Sequence, residues 1–156
     1  MKTSLSILSL MAVLAFAPAW SADTGPVTTS KPGASERISV ARQAIATRDW
    51  KKALAELNLA VREEPRNADI HNLLGYSYRK QARPDLPKAF EHYNTAIRLD
   101  PRHKGAHEYI GEAYLMDNKP QEAEKHLAAL EMICGNTLCD EYTDLSRAVA
   151  DYKAKH

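Results

Sequence analysis

The feature that most constrains the fold of this 156-residue chain is an internal repeat. An alanine is followed by apolar residues 4 and 7 positions later and by a proline 12 positions later. The copies are Ala53, Leu57, Ala60 and Pro65, then Ala89, Tyr93, Ala96 and Pro101, then Ala123, Leu127, Leu130 and, in place of the proline, Gly135. Such a period indicates stacked units, each of which buries its apolar face against a neighbour.

A second pattern precedes each copy. Leu74-Gly75, with Tyr78, is matched 36 residues later by Ile110-Gly111, with Tyr114, and the first copy has Val40-Ala41 with Ala44. A small residue at the second place lets two helices approach closely. Together the two patterns predict helices over residues 35–47, 50–63, 67–82, 87–98, 104–116 and 120–132.

Local signals mark several ends of these helices. Asp49 is suited to the N-cap of the second helix, and Pro120 to the first turn of the sixth. Pro65 and Pro101 cannot continue a helix. Asn118 stands where the chain needs a left-handed residue between two helices. These signals predict pairs of antiparallel helices joined by short turns.

Over about residues 34–135 the pattern resembles the tetratricopeptide repeat, which has W-x2-L-G-x2-Y, A-x3-F and P at fixed positions. The resemblance implies an all-α fold, a helical solenoid of three helix-turn-helix repeats at about 34–67, 68–103 and 104–137. It also implies a concave groove, lined by the first helix of each pair, that binds a protein or a peptide.

A seventh helix is predicted over residues 138–154. Its apolar residues recur at spacings of 4, 3, 4 and 3, and charged residues occupy the other positions; they are Leu138, Tyr142, Leu145, Val149 and Tyr152. This is the spacing of an amphipathic helix. A solenoid needs such a helix at its end, because the last repeat otherwise exposes an apolar face.

The first residues predict export. Lys2 precedes an apolar stretch, Leu5 to Ala17, and small residues follow it, which is the order of a secretory signal peptide of residues 1–22 cleaved between Ala19 and Ala22. The apolar stretch is short for a membrane anchor, so no stable membrane insertion is expected after its removal. Residues 23–35 are rich in Thr, Ser, Pro and Gly and predict a flexible linker. The sequence thus predicts a periplasmic or secreted protein.

Charge excludes one class of partner. The chain has 21 basic and 20 acidic residues, and removal of the signal peptide leaves 20 of each. Proteins that bind nucleic acid normally carry a basic excess, so no nucleic-acid partner is expected.

The two cysteines, Cys134 and Cys139, lie between the sixth and seventh helices. In an oxidising compartment a disulfide is the expected state, and it would set the angle at which the seventh helix returns. A metal site or a catalytic redox pair is the alternative. A Cys pair followed by Glu141-Tyr142 and a last helix also resembles a group of small exported bacterial tetratricopeptide proteins.

No arrangement of residues predicts catalysis. The chain has no G-x-S-x-G elbow and no Gly-rich phosphate loop, so it is expected to be no enzyme and to hold no cofactor. His103 and His107 have the spacing of metal ligands on a helix. His107 and His71, however, occupy a position that normally packs between helices, so no metal site is predicted.

The resemblance implies which residues line the groove. Carried onto this sequence, the partner-binding positions are Arg42, Ile45, Asp69, Asn72, Tyr76, Arg79, Lys80, Glu108, Tyr109 and Glu112. Tyr76 with Arg79 beside it is expected to be an exposed aromatic anchor. One form of the family grips a carboxylate with Lys and Asn, but Asn72 and Tyr76 stand at those positions here. That clamp is therefore not expected.

The leading hypothesis is a soluble periplasmic module that binds a peptide or a partner helix in its groove. One alternative is a metal or redox accessory protein that uses His103 and His107 or the Cys pair. Another is a structural subunit of a cell-envelope complex. The sequence names no partner.

Overall fold

A computed structural model describes residues 31–156, and this part of the chain is entirely helical and turn in character. Its seven helices are α1 Ala34–Ala46, α2 Trp50–Glu63, α3 Ala68–Lys80, α4 Leu86–Leu99, α5 Lys104–Met116, α6 Pro120–Cys134 and α7 Asp140–Lys155. The predicted signal peptide and residues 23–30 of the predicted linker lie outside the described residues. The all-α fold of three helix pairs and a last helix is confirmed.

Short polar side chains begin three of these helices. Asp49, Asn67 and Asp85 each accept a hydrogen bond from the backbone N–H three residues later, which satisfies a donor that the helix leaves free. The prediction for Asp49 is confirmed. Because Asn67 and Asp85 are caps, α3 begins at Ala68 rather than at residue 67, and α4 begins at Leu86 rather than at residue 87.

The turns between paired helices are equally specific. Arg48 and Asn118 adopt φ angles of 59° and 56°, in the left-handed region. Asn118 therefore has the predicted conformation. Gly135 ends α6 with a φ of 69°, as glycine does after many helices. The helix α6 thus extends two residues beyond the predicted end and includes Cys134.

Two glycines allow the helices to pack closely. A Cβ added at Gly75 of α3 would lie 2.6 Å from the ring of Tyr93 in α4, and one added at Gly111 of α5 would lie 2.6 Å from Leu145 in α7. Tyr93 and Leu145 are both fully buried. The predicted role of small residues at these places is confirmed.

The core is a chain of three clusters rather than one centre. The first joins α1 and α2 to α3 around Leu57 and Leu74, and the second joins α4 and α5 around Tyr93 and Ile110. The third joins α6 and α7 around Leu145. Each cluster thus joins helices that are neighbours in the stack, as expected of a solenoid.

The last helix covers the end of the third pair. α7 packs its buried residues Leu145 and Val149 against α5 and α6. Cys134 and Cys139 form a disulfide, and α7 begins one residue after it, two residues later than predicted. Among residues 31–156, no helix is long and apolar enough to cross a membrane.

Candidate functional site

Aromatic side chains of α2, α3 and α5 form a row. The ring centres of Trp50 and Tyr76 are 6.2 Å apart, and those of Tyr76 and Tyr109 are 4.8 Å apart. We call these three residues the aromatic row. All three are partly exposed, so the row presents ring surface to solvent.

Two adjoining cavities open beside the aromatic row. The larger, of about 640 Å³, is lined by Ile45, Arg48, Trp50, Tyr76 and Lys80 among others. The smaller, of about 270 Å³, has Arg42, Leu73 and Tyr109 on its walls, and it shares Ile45 and Tyr76 with the larger. These cavities, with the aromatic row, form what we call the groove.

Cations surround the apolar floor of the groove at the end nearest α1. Arg42, Arg48 and Lys80 are exposed, and none of them forms an ion pair with another described residue. The Lys80 ammonium lies 5.9 Å from the centre of the Tyr76 ring, at cation–π distance. This end of the groove is therefore positively charged.

Three further residues, Trp50, Arg48 and Leu73, line the groove although the repeat pattern did not indicate them. Trp50 is the first residue of α2, where α4 has Leu86 and α6 has Pro120. An aromatic residue at that place in one copy alone was a usable signal. Trp50 reaches the groove because α2 begins beside the end of α1.

The structure corrects the expectation that Arg79 is exposed beside Tyr76. Arg79 is only 4% exposed. Its Nε donates to the Tyr93 hydroxyl at 3.3 Å, and its Nη2 lies 2.5 Å from Glu112 Oε2, at ion-pair distance. Its guanidinium carbon lies 5.5 Å from the ring centres of both Tyr76 and Tyr109. Arg79 therefore supports the aromatic row from beneath.

Two other residues expected in the groove are engaged or buried. The carboxylate of Asp69 contacts Nε2 of His103 at 3.0 Å, so this pair links α3 to the start of α5. Asn72 is 7% exposed, and its Oδ1 is buried without a hydrogen-bond donor. Neither side chain reaches the cavities described above.

The remaining expected residues lie on α5. Glu112 is partly exposed and paired with Arg79, whereas Glu108, one turn earlier, is 8% exposed. Burial and the nearby carboxylates of Glu112, Asp144 and Glu141 raise the pKa of Glu108 to about 8. Burial also raises the pKa of Tyr109 to about 12, so this residue carries a neutral hydroxyl at neutral pH.

The histidines do not meet as the spacing of His103 and His107 suggested. Nδ1 of His103 accepts from the backbone N–H of Ala106, and its Nε2 faces Asp69. His107 faces the Pro101 carbonyl through Nε2 and His126 through Nδ1, at 3.2 and 3.0 Å. Each ring nitrogen thus has another partner, and the two rings do not share a ligand position.

The position of His107 is matched in the preceding repeat. Nδ1 of His71 lies 3.2 Å from Nδ1 of His92, and Nε2 of His71 lies 3.0 Å from the Pro65 carbonyl. A hydrogen bond from Nε2 to that carbonyl leaves Nδ1 of a neutral His71 as an acceptor towards His92. His71 and His107 are nearly buried and hold paired helices together.

Three solved structures are similar to this chain in fold. The TPR2B domain of yeast Sti1 in complex with pHsp70 has 16% identity and a TM-score of 0.70, and the match covers 79% of this chain and 98% of that chain. The TPR domain of Arabidopsis OM64 has 12% identity and a TM-score of 0.68, over 77% of this chain and 96% of that chain. The first TPR domain of Spaghetti (RPAP3), bound to the HSP90 peptide SRMEEVD, has 16% identity and a TM-score of 0.67, over 78% of this chain and 93% of that chain. At these identities the likeness shows the fold alone. None of the curated proteins matches this chain in sequence.

The sequence profile of the tetratricopeptide repeat matches residues 41–101 and 85–135. Together these matches cover more than half of the chain and coincide with the helices α1 to α6. The helix pairs, the close approach at Gly75 and Gly111 and the stacked core agree with that match. This chain is therefore a member of the tetratricopeptide repeat family.

Proposed function

We propose that this protein is a binding module that holds an extended peptide or a partner helix in its groove and performs no chemistry of its own. The observation that carries the proposal is the aromatic row beside two open cavities. Partly exposed aromatic side chains on a rigid support give large contact area at low conformational cost. Two of the structurally similar domains, those of Sti1 and RPAP3, are described in complex with Hsp70 and with an HSP90 peptide.

We further propose that the protein acts in the periplasm or outside the cell. The proposal rests on the order of charged, apolar and small residues in the first 22 positions and on the disulfide between Cys134 and Cys139. Fractionation of cells that express the tagged full chain, with N-terminal sequencing of the product, tests it. A cytoplasmic product that retains Met1 would contradict it.

The binding proposal is tested by selecting ligands from a random linear dodecapeptide phage library on the purified, disulfide-bonded protein. We expect selected peptides to bind with affinities that Tyr76→Ala lowers by about tenfold or more, because an aromatic anchor commonly contributes 2 kcal/mol or more. Fluorescence anisotropy of the synthetic peptides measures this effect.

A matched control distinguishes the groove from the rest of the surface. Tyr142 is also a partly exposed tyrosine, but it lies on α7, beside the separate depression that Thr137 and Arg147 line. The Tyr142→Ala variant is expected to bind the selected peptides like the unaltered protein. Equal losses in both variants, or selected peptides that ignore Tyr76, would refute binding in the groove.

A further inference from the structure

The end of the groove nearest α1 combines basic residues with uncharged ones. Arg48 and Lys80 line the larger cavity and Arg42 lines the smaller, whereas among residues 31–156 no acidic residue lines either of them. All three cations are exposed, and none of them is paired with a carboxylate of a described residue. This part of the groove therefore carries an uncompensated positive charge.

The corresponding turn of the third repeat lacks these charges. Between α5 and α6, Asn118 stands in the place of Arg48, and Met116 stands in the place of Lys80. Arg48 and Asn118 both adopt left-handed φ angles, of 59° and 56°. Asparagine tolerates this conformation well, whereas a long side chain there is uncommon. The first repeat thus has a cation where the backbone favours asparagine.

Apolar surface adjoins these cations. The rings of Trp50 and Tyr76 are tilted by 59° with their centres 6.2 Å apart, and Ile45 lies on the walls of both cavities. The larger cavity, of about 640 Å³, lies within the range of about 300–1,000 Å³ that is usual for sites that enclose small ligands. It can therefore accept a large apolar side chain, which the tilted rings would contact at their faces and edges.

A protein segment fits these features better than a nucleic-acid strand does. A bound single strand needs cations along the path of its phosphates. Here the unpaired cations are confined to one end of the aromatic row, and at the other end Tyr109 is flanked on α5 by Glu108 and Glu112. The aliphatic walls at Ile45 and Leu73 also suit a protein side chain.

We propose that the groove selects an acidic segment of a protein partner, with one large apolar side chain seated beside Trp50 and Tyr76 and carboxylates near it. These carboxylates contact Arg42, Arg48 and Lys80. The inference rests on the proposed function and names the chemistry of the bound segment. In an extended segment, alternate side chains lie on one face about 7 Å apart, so Asp or Glu residues close to the apolar anchor reach the cations.

The end of the partner chain is no part of the proposed contact. Asn72 and Tyr76 stand where a carboxylate clamp would have Lys and Asn, and Asn72 is only 7% exposed. The probe is therefore an acetylated and amidated peptide with a central Phe, two Glu on each side of it, and Ser and Gly at both ends. Its neutral analogue has Gln in place of every Glu.

The indole N–H signal of Trp50, followed by NMR in the disulfide-bonded protein, reports occupation of the cavity. We expect the acidic peptide to bind about tenfold more tightly than the neutral peptide at low salt, because exposed charges attract each other through little screening. About 0.5 M sodium chloride is expected to abolish this preference, since the cations are exposed to solvent.

Two variants use the residues that the chain has at the corresponding places of the third repeat. Arg48→Asn and Lys80→Met each remove one exposed charge and are expected to weaken the acidic peptide about threefold, and the double variant about tenfold. The neutral peptide should bind these variants like the unaltered protein. Lys155→Gln is the control, since it removes an exposed charge from α7, and it should leave both affinities unchanged.

Several results would overturn the inference. Equal affinities for the acidic and neutral peptides, or an unchanged preference in the double variant, would show that the cations do not select the ligand. Binding only by a peptide with a free carboxyl terminus would assign them to the end of a chain. A pentathymidylate, whose charge is the same as that of the acidic peptide, would bind equally well if the site accepted any polyanion.

The two proposals can fail separately. If peptides from the phage library bind through Tyr76 but the acidic peptide has no advantage, the groove is a binding site and only its preference for acidic segments is wrong. If the acidic peptide binds and Tyr76→Ala leaves its affinity unchanged, that peptide binds elsewhere and the inference is wrong. If no selected peptide depends on Tyr76, the proposed function is wrong as well.

Discussion

At the scale of single residues, burial decides what each side chain can do. Arg79 and Lys80 are neighbours in the sequence, yet Arg79 is 4% exposed and committed to Glu112 and Tyr93, whereas Lys80 is exposed beside Tyr76. The two positions differ by 100° around α3, which is enough to turn one cation towards the next repeat and the other towards solvent. Their roles are therefore different although their charges are the same.

The contact at Gly75 predicts a sharp steric effect. In Gly75→Ala the new Cβ would lie 2.6 Å from the Tyr93 ring, which is fully buried and bonded to Arg79. Overpacking of this kind costs up to about 3 kcal/mol, which exceeds the gain of about 1 kcal/mol in helix propensity. We expect urea denaturation to show a net loss of about 2 kcal/mol.

Gly33→Ala is the control for this substitution. A Cβ added at Gly33 would meet no atom within 4 Å, so its cost is limited to placing alanine at the N-cap of α1, which we expect to be about 1 kcal/mol or less. If the two variants unfold at the same urea concentration, the packing of α3 against α4 is looser than described here.

The raised pKa of Glu108 predicts that its replacement stabilises the protein at alkaline pH. The unfolded chain ionises this carboxyl near its ordinary pKa of 4.5, whereas the folded protein does so only near 8. Stability is therefore lost as the pH rises from 4.5 to about 8. After allowance for solvent screening, Glu108→Gln is expected to recover about 2 kcal/mol at pH 8 and almost nothing at pH 4.5.

Paired urea titrations at these two pH values, with Glu131→Gln as control, test this prediction. A variant that is less stable at both values would show that the Glu108 carboxylate has a partner within the protein.

At the scale of helices, the ends are decided by a few backbone and side-chain bonds. Asp49, Asn67 and Asp85 start their helices by capping a free N–H group, and Gly135 ends α6 by its left-handed conformation. The helix α7 has no side-chain cap and follows a loop of mostly exposed residues. The disulfide joins this loop to the end of α6.

Removal of the disulfide is expected to loosen α7 in particular. Cys134 and Cys139 are separated by 5 residues, and closing so short a loop contributes about 2 kcal/mol in the chain-entropy estimate. In the double variant Cys134→Ser, Cys139→Ser, hydrogen exchange should quicken in α7 more than in α1 to α4, because the lost bond joins the start of α7 to the end of α6. Leu145 and Val149 still pack in the third cluster, so α7 loosens without detaching.

Reduction provides the control for this effect. Dithiothreitol is expected to reproduce the change in the unaltered protein and to have no effect on the double variant. Uniform acceleration in all seven helices would mean that the disulfide stabilises the whole solenoid rather than the position of α7.

At the scale of the whole molecule, a polar contact recurs at the same place in each helix pair, but different side chains form it. The fourth residue of each first helix meets the seventh residue of each second helix: Arg37 with Glu56 at 2.9 Å, His71 with His92 at 3.2 Å, and His107 with His126 at 3.0 Å. Tyr78 and Tyr114 stack on His92 and His126. The first repeat thus has an ion pair where the next two have imidazole pairs.

This difference predicts that acid weakens the repeats unequally. Burial, the neighbouring His107 and Lys125 on the same helix lower the pKa of His126 to about 4. Glu122, also on that helix, acts in the opposite direction and is outweighed. Burial lowers the pKa of His92 in the same direction. The unfolded chain binds these protons near pH 6.5. The contribution of the histidines to stability is therefore complete above that pH and is lost as the pH falls towards 4, by about 2 kcal/mol for His126.

Hydrogen exchange of each helix between pH 7 and pH 4.5, corrected for intrinsic rates, tests the order in which the helices lose protection. In the Glu108→Gln background, which removes the opposing gain from protonation of Glu108 on α5, we expect α5 and α6 to lose protection first and α1 and α2 last. The variant His126→Asn, whose amide can still donate to His107, should reduce the loss in α5 and α6. Equal loss in every helix would show that the imidazole pairs do not govern acid unfolding.

Much of the fold follows from the sequence because a solenoid is held by short-range contacts. The repeated alanines and glycines, the prolines and Asp49 lie within single repeats, so their spacing alone predicts six helices and their pairing, with ends that differ from the structure by at most two residues. The Cys pair likewise closes a local loop. Each of these features depends on neighbours that the sequence already places side by side.

The groove depends on contacts between repeats, and there only the tertiary structure decides. Asp69, Arg79 and Glu112 have the composition of a binding surface, but interhelical partners 33 to 34 residues away engage them. Trp50 enters the groove, and Asn72 Oδ1 is buried without a hydrogen-bond donor. Glu108 is nearly buried among other carboxylates, and imidazoles pair across helices. The spacing of the repeat specifies which face of its helix a residue occupies. The exposure and the pKa of its side chain depend on the side chains that neighbouring helices pack against it, and the spacing does not encode these.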